Sequence, residues 1–166
     1  MRCTVKTDFG HWVDFEIKGD ERAKALSDAK KVIDSWGLVM PSEPPLTPHF
    51  GLKDFYRIGE IEYLIINNEE KGYCGKYIFL FQGQRCPCHC HKIKDETFFI
   101  VKGIVSMTAD ERTFEMKAGD TFRMLPGVKH TFMAAGDPAL VLEVSQPSRL
   151  NDNFFEDKRI GKNGTL

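Results

Sequence analysis

The sequence has no large excess of charge of either sign and no long apolar run. Its 23 Lys and Arg residues nearly balance its 24 Asp and Glu residues, so the net charge is −1. A chain without a positive excess has little electrostatic attraction for nucleic acid or an anionic membrane, and we expect neither as a partner. The longest apolar runs, such as residues 63–66, are far too short to span a bilayer.

Signs of secretion and of nucleotide binding are also missing. Residues 1–10 carry charge and contain no apolar stretch of the kind found in signal peptides. Five cysteines are an odd number in a chain of 166 residues and do not predict a disulfide framework. The glycine-rich patterns that cradle nucleotide phosphates are absent, so we expect no nucleotide cofactor. These absences favour a cytoplasmic protein.

The first part of the chain predicts one helix and an extended connector. Between residues 20 and 36, apolar side chains recur at steps of three and four, which is typical of an amphipathic helix. These side chains are Ala23, Leu26, Ala29, Ile33 and Trp36. Gly37 follows where a left-handed C-terminal cap is expected. Residues 40–48 contain four prolines, and we predict that they run in extended form over the domain surface.

From residue 61 onward, short apolar or alternating runs are separated by turn residues. The predicted strands are residues 61–66, 76–82, 97–102, 104–108, 113–116, 121–125, 131–134 and 140–145. Many short strands with regular turns indicate an antiparallel sandwich or barrel. We predict an all-β fold of one structural domain, in which residues 1–60 form an arm packed on a barrel of residues 61–166.

Residues 83–96 and a later histidine contain potential metal ligands. His89 and His91 are two residues apart, so both imidazoles project from the same face of an extended chain. Glu96 follows after a short break, and His130 comes after a second strand-and-turn unit. Three imidazoles and one carboxylate suit a divalent first-row metal ion. We predict that these four side chains bind one such ion.

The neighbouring cysteines offer a competing metal site. Cys86, Cys88 and Cys90 alternate with the histidines, whereas structural zinc sites use cysteine pairs separated by more residues. Alternation also puts Cys88 and Cys90 on the strand face opposite His89 and His91. We therefore expect free thiols rather than ligands.

The spacing of the histidine region resembles the two motifs of the cupin superfamily. The residues that fit the first motif, G-x5-H-x-H-x4-E-x6-G, are Gly83, His89, His91, Glu96 and Gly103. Those that fit the second motif are Gly119, Asp120, Pro126, Gly127 and His130. Two departures are Leu125 in place of the usual first proline and Ala134 in place of a frequent asparagine. The resemblance implies a single cupin-type antiparallel β-barrel, or jelly roll, that forms a homodimer.

A closer resemblance, over roughly residues 73–160, is to the D-lyxose isomerase family of cupins. The segments that carry it are residues 94–98 and 153–160. This family implies a divalent ion, manganese first, with Zn, Fe, Co or Ni as other possibilities. It also implies interconversion of an aldose and its ketose through a metal-bound enediolate, with a D-lyxose-like pentose or a related hexose as substrate.

The same resemblance implies roles for residues outside the ligand set. In the family, a carboxylate on the last barrel strand and an arginine in the tail face the metal, and Glu143 and Arg159 match these positions. If Glu143 points inward, it is an unpaired carboxylate whose raised pKa suits proton transfer; on the outer face it is solvated. Arg159 or Lys94 would then stabilise charge on a sugar oxygen.

Other functions remain open from the sequence. The same four ligands bind ferrous iron in cupin dioxygenases, and a barrel of this kind can also bind carbohydrate without catalysis, as in surface-sugar metabolism. A sugar phosphate is possible because Arg149, Lys158 and Arg159 could form a phosphate clamp. Tyr73 and Trp12 could line the mouth of a sugar site.

Overall fold

The structure, a computed structural model, describes residues 14–166, so the predicted role of Trp12 lies outside the described residues. Within this range, helix α1 (Gly19–Ser35) precedes ten strands. They are β1 (Ile61–Asn68), β2 (Tyr73–Leu80), β3 (His89–Cys90), β4 (Glu96–Lys102), β5 (Ile104–Ala109), β6 (Arg112–Lys117), β7 (Thr121–Met124), β8 (His130–Ala134), β9 (Ala139–Ser145) and β10 (Phe154–Phe155). All eight predicted strands are present, and β3 and β10 are additional two-residue strands.

The strands form two antiparallel sheets of five strands each. The first sheet has the order β1-β2-β9-β4-β7, and the second has the order β10-β3-β8-β5-β6. Apolar side chains from both sheets fill the space between them, among them Ile78, Phe98, Ile100, Val105, Met107, Phe132 and Val141. The predicted all-β sandwich or jelly roll is confirmed.

Strand β9 is the central strand of the first sheet, with β2 and β4 on either side. Side chains alternate along a strand, and Val141 belongs to the core between the sheets while Leu140 belongs to the layer under the helix. Glu143 has the same parity as Val141 and is buried. It therefore faces the interior from a central strand, not solvent from an edge strand.

Helix α1 covers one end of the outer face of the first sheet. The face that it buries contains Ala25, Ala29 and Ile33, whereas Ala23, which we expected in the stripe, is exposed. Ala23 and Ala25 have the same helix propensity, so the sequence alone does not show which of them is buried. The contact of the helix with the sheet buries Ala25. The helix ends as predicted at Gly37, which has a φ of 69° and donates its N–H to the carbonyl of Asp34 at 2.9 Å.

The proline-rich connector is extended, but part of it is buried. Leu46 pairs with Glu62 of β1, and Pro48 pairs with Glu16, so the connector adds short bridges to the sheet region. Thr47 and Pro48 are buried, which differs from the predicted path over the surface.

No helix among residues 14–166 is long and apolar enough to cross a bilayer.

Candidate functional site

Pairing between strands brings the predicted metal ligands together between the two sheets. His89 of β3 lies directly opposite His130 of β8, with the ring centroids 4.3 Å apart. His91 follows β3, and its ring centroid lies 4.8 Å from that of His89. Glu96 begins β4 in the facing sheet. All four side chains are buried.

The ligand atoms of these residues converge on a small volume. One nitrogen from each of His89, His91 and His130 lies within 4.8 Å of the other two. The Glu96 carboxylate has one oxygen 3.4 Å from His91 Nε2 and the other 3.3 Å from His130 Nε2. We call these four side chains the ligand group.

The hydrogen bonds of the imidazoles leave their Nε2 atoms free for a cation. Each Nδ1 lies near a backbone carbonyl oxygen: His89 with Pro87 at 2.9 Å, His91 with Asp152 at 2.7 Å and His130 with Val128 at 3.1 Å. A carbonyl oxygen only accepts, so each Nδ1 carries the proton and each Nε2 presents a lone pair. The Nε2 atoms of His91 and His130 and Oε2 of Glu96 are buried without hydrogen-bond partners. Facing acceptors of this kind fit a metal ion.

The electrostatics of the ligand group favour the protonation states that bind metal. Burial, together with the neighbouring His130 and His91, holds the pKa of His89 well below its usual value. Burial alone would raise the pKa of Glu96, but Lys94 and the imidazoles outweigh it and hold that pKa well below its usual value. Near neutral pH, His89 is therefore a neutral imidazole and Glu96 is an ionised carboxylate, which are the forms that bind metal.

A row of alternating charges leads from the ligand group into the first sheet. We call it the charged row; its members are Glu96, Lys94, Glu143, Lys76 and Glu62. Lys94 Nζ lies 2.5 Å from Glu96 and 3.3 Å from Oε1 of Glu143. Lys76 Nζ lies 3.3 Å from Oε2 of Glu143 and 3.1 Å from Glu62.

Glu143 is therefore paired with two lysines, and the prediction that an inward-facing Glu143 is unpaired is wrong. Lys76 is its direct cross-strand neighbour on β2, and the hydroxyl of Ser145 donates a hydrogen bond to Glu143 at 2.8 Å. Burial alone would lower the pKa of Lys76 and of Lys94, but the adjacent carboxylates, Glu143 first, outweigh it and raise both. Both lysines are thus charged on either side of Glu143.

The structure does not bring Arg159 to the ligand group. Its side chain is 74% exposed, and its guanidinium pairs with Asp157 at 2.6 Å, because a carboxylate two residues away is the nearest partner available. The other two residues that could form a phosphate clamp also have partners: Arg149 lies 3.7 Å from Glu69, and Lys158 donates a hydrogen bond to a backbone carbonyl.

Among the cysteines, Cys86 lies next to the ligand group, with its Sγ 3.8 Å from Nδ1 of His89. Cys88 lines a surface cavity of about 930 Å³ with Lys129 and Glu156. Burial, with Glu156 beside it, raises the pKa of the Cys88 thiol to about 11, so this thiol is protonated at neutral pH. Cys74, Cys86, Cys88 and Cys90 are free thiols, not members of disulfides.

Tyr73 is exposed on the outer face of β2, opposite in parity to the buried Cys74.

Comparison with known proteins identifies the family. Residues 78–145 match the Cupin domain family. The D-lyxose/D-mannose isomerase of Thermosediminibacter oceani is 30% identical over 138 residues, covering 67% of this chain and 75% of that protein. The chain belongs to the cupin superfamily and, within it, to the family of this isomerase. The resemblance noted in the sequence is thereby confirmed.

Solved structures of two L-ribose isomerases share the fold of this chain. The L-ribose isomerase of Cellulomonas parahominis, solved with L-ribose, superposes with a TM-score of 0.74 over 92% of this chain and 98% of its own, at 17% identity. The L-ribose isomerase of Geodermatophilus obscurus gives 0.73 over the same shares, at 15% identity. The likeness thus extends beyond the barrel to the helical arm.

Several polar residues near the ligand group of this cupin were not predicted from the sequence. Lys76 is a charged residue within the largely apolar strand β2. A charged residue within an apolar strand was the signal that identified Glu143, and the same signal was available for Lys76. Ser145 has the same parity as Glu143 on β9, two residues later. Asp152 lies in the tail that follows β9. Its contact with His91 depends on the path of this tail across the barrel, and no local sequence pattern predicts that path.

Proposed function

We propose that this protein is a metal-dependent aldose–ketose isomerase acting on a small open-chain sugar, a D-lyxose-like pentose or a related hexose. The observation that carries the proposal is the position of Glu143. It is a buried carboxylate outside the ligand group, held between two lysines, one of which also contacts Glu96. This arrangement supports Glu143 as a proton acceptor beside the proposed metal site.

The ligand group fits a divalent cation in its chemistry. His89, His91, Glu96 and His130 would hold the ion, and we propose manganese first because the family resemblance implies it; the ligand chemistry itself suits any divalent first-row ion. A divalent ion bound there supplies Lewis-acid polarisation of the sugar carbonyl, which makes the adjacent C–H bond more acidic. The carboxylate of Glu96 contributes the one negative charge of the ligand group.

Glu143 would move the proton of the isomerisation. Its carboxylate takes the proton from C2 of the aldose; the C–H electron pair then forms a C1–C2 double bond, and the C1 carbonyl oxygen gains negative charge. The same carboxylic acid returns the proton to C1, while the C2 oxygen becomes the new carbonyl. A second proton passes from the C2 oxygen to the C1 oxygen, which keeps the atoms balanced.

Lys94 would stabilise the negative charge that develops on oxygen. Its ammonium lies between Glu96 and Glu143, and a cation fixed in position needs no reorganisation during the reaction. Lys76 would hold the other oxygen of Glu143, so that the carboxylate keeps one orientation. Burial of the charged row excludes bulk water and strengthens both interactions.

The charge balance of the site favours an uncharged sugar over a sugar phosphate. Both lysines of the charged row already contact carboxylates. Arg149, Lys158 and Arg159 have other partners, so none of them is a free cation for a phosphate. We therefore propose the free aldose as the substrate class.

The direct test is a panel of pentoses and hexoses incubated with metal-stripped protein to which Mn²⁺ is added. We expect conversion of an aldose to its ketose that requires the ion and stops with a chelator. The dioxygenase alternative predicts oxygen uptake with Fe²⁺ and no ketose. The binding alternative predicts saturable sugar binding without product. Either of these results would refute the isomerase.

A further inference from the structure

The carboxylate of Asp152 contacts the segment of residues 91–96, which connects two members of the ligand group and which we call the metal-binding loop. Asp152 closes the short 3-10 helix Leu150–Asp152 and is 5% exposed. Its Oδ1 accepts hydrogen bonds from the backbone N–H groups of Lys92 at 2.9 Å and Ile93 at 3.2 Å. Its Oδ2 accepts from Ile93 at 3.2 Å and Lys94 at 2.9 Å.

Three successive N–H groups that point at one anion form a concave anion-binding arrangement of the backbone. Here the anion is a side chain of the same protein, and hydrogen bonds between N–H groups and a charged carboxylate are stronger than neutral ones. The segment that is held, residues 92–94, is neither helix nor strand and joins His91 to Glu96. Without these bonds the buried N–H group of Lys94 would lack a partner.

Asp152 makes a second contact with the same loop through its backbone. Its carbonyl oxygen lies 2.7 Å from Nδ1 of His91 and accepts the proton of that nitrogen. The residue therefore fixes the tautomer of His91 and the path of the next three residues. The end of that path is Lys94, whose ammonium contacts both Glu96 and Glu143.

We propose that Asp152 is a positioning residue of the active site. It holds His91 and Lys94 in the mutual arrangement that metal binding and proton transfer require. The inference rests on the proposed function for its catalytic part, whereas its metal-binding part depends only on the ligand group. Removing a partner that orients a metal ligand typically weakens metal binding by about 10- to 100-fold.

The next residue provides a matched control for loss of tail structure. The side-chain amide of Asn153 donates to the carbonyls of Arg149 at 2.7 Å and Leu150 at 3.0 Å, both within the tail. Asn153→Ala therefore loosens the same turn without removing a bond to the metal-binding loop. Asp152→Asn keeps the size of the side chain but turns an amide donor toward one of the loop N–H groups.

The experiment measures Mn²⁺ affinity by calorimetry and backbone amide exchange of residues 91–96 by mass spectrometry, in the full chain. Asp152→Asn loosens residues 92–94 but keeps the backbone carbonyl that contacts His91, so we expect the Kd for Mn²⁺ to rise by about 10-fold, the lower end of that range, with faster exchange at residues 92–94. For Asn153→Ala we expect both quantities to stay at their wild-type values. If Asp152→Asn does not fold, Asp152→Glu, which keeps the charge and displaces the oxygens, is measured in its place.

Two results would overturn the inference: wild-type Mn²⁺ affinity in the Asp152 variant, or an equal loss in Asn153→Ala. A wild-type chain that binds no Mn²⁺ would overturn it as well. Failure of the proposed function is recognised separately. A wild-type chain that isomerises no sugar, but binds Mn²⁺ with an affinity that depends on Asp152, refutes the isomerase and supports the positioning role.

Discussion

The ammonium nitrogen of Lys94 lies 3.3 Å from a carboxylate oxygen of Glu143 and 2.5 Å from one of Glu96. A single cation thus connects the residue that we propose as the base to a member of the ligand group. Any change to Lys94 is expected to affect both carboxylates, because all three side chains are buried.

Lys94→Met should destabilise the metal-free protein and abolish turnover. Removing one partner of a buried ion pair leaves an uncompensated charge, and such changes typically cost about 3–5 kcal/mol of unfolding free energy. Denaturant unfolding of the metal-free variant measures the loss. The control is Lys117→Met, at an exposed position on β6, which should leave stability and turnover unchanged. Wild-type stability in Lys94→Met would show that the lysine does not pair as described.

The stability of the metal-free protein should fall as the pH drops below the usual pKa of histidine. The pKa of His89 is held well below 6.5 in the folded state. Below pH 6.5, therefore, His89 is protonated in the unfolded chain but not in the folded protein, and the free energy of unfolding falls. One such proton corresponds to about 1.4 kcal/mol per pH unit. Glu96, with its pKa held well below 4.5, adds stability that is present above pH 4.5 and is lost as the pH falls further.

Unfolding curves recorded at several pH values test this dependence. The variant His89→Gln cannot take up the proton, so its stability should vary less steeply with pH between 6.5 and 4.5. If the free energy of unfolding varies with pH equally steeply in both proteins, groups other than His89 cause the pH dependence.

Removing the metal should lower the thermal stability of the wild-type protein. An ion that binds only the folded state stabilises it by about 2.7 kcal/mol when present at a hundred times its Kd. Thermal unfolding with Mn²⁺ and with a chelator measures this difference. His130→Ala removes one ligand and should remove most of the Mn²⁺-dependent rise in Tm. A full rise in that variant would contradict the ligand group.

Arg159→Ala should retain turnover, because Arg159 is exposed and pairs with Asp157 rather than with the ligand group. Hydrogen bonds from Arg159 lower the pKa of Asp157 to about 2, and the variant should return it toward 3.8. NMR titration of the Asp157 carboxyl measures the shift. A loss of turnover in the variant would instead support the role that the family resemblance implies for this arginine.

The sequence was most informative where a short pattern determines the geometry. The spacing of His89 and His91 implied one shared strand face, and the apolar run of residues 140–145 predicted strand β9, although not which of its faces carries Glu143. These features depend on strand periodicity, which operates over a few residues. The two-residue strands β3 and β10 escaped prediction because they are too short to show any period.

Longer-range partners could not be predicted in the same way. Glu143 was expected to be unpaired, because the pairing of β2 with β9, which brings Lys76 beside it, depends on the order of strands in the sheet. Asp152 is tied to the metal-binding loop by a tail whose path is set by tertiary contacts. The family resemblance implied a role for Arg159 at the metal site, and no strand or helix period predicts its ion pair with Asp157 in the tail.

The most direct test of the central claim is the reaction in deuterated water with Glu143→Gln. Wild-type protein loaded with Mn²⁺ should convert the aldose, and deuterium should enter C1 of the ketose in those turnovers in which the proton on Glu143 exchanges with solvent before it is returned. The variant should bind Mn²⁺ as tightly but lose about 10²- to 10⁴-fold in rate, the usual contribution of a general base. Glu115→Gln, at an exposed position on β6, serves as the control and should behave as wild type. Conversion and deuterium uptake by Glu143→Gln at the wild-type rate would contradict the account.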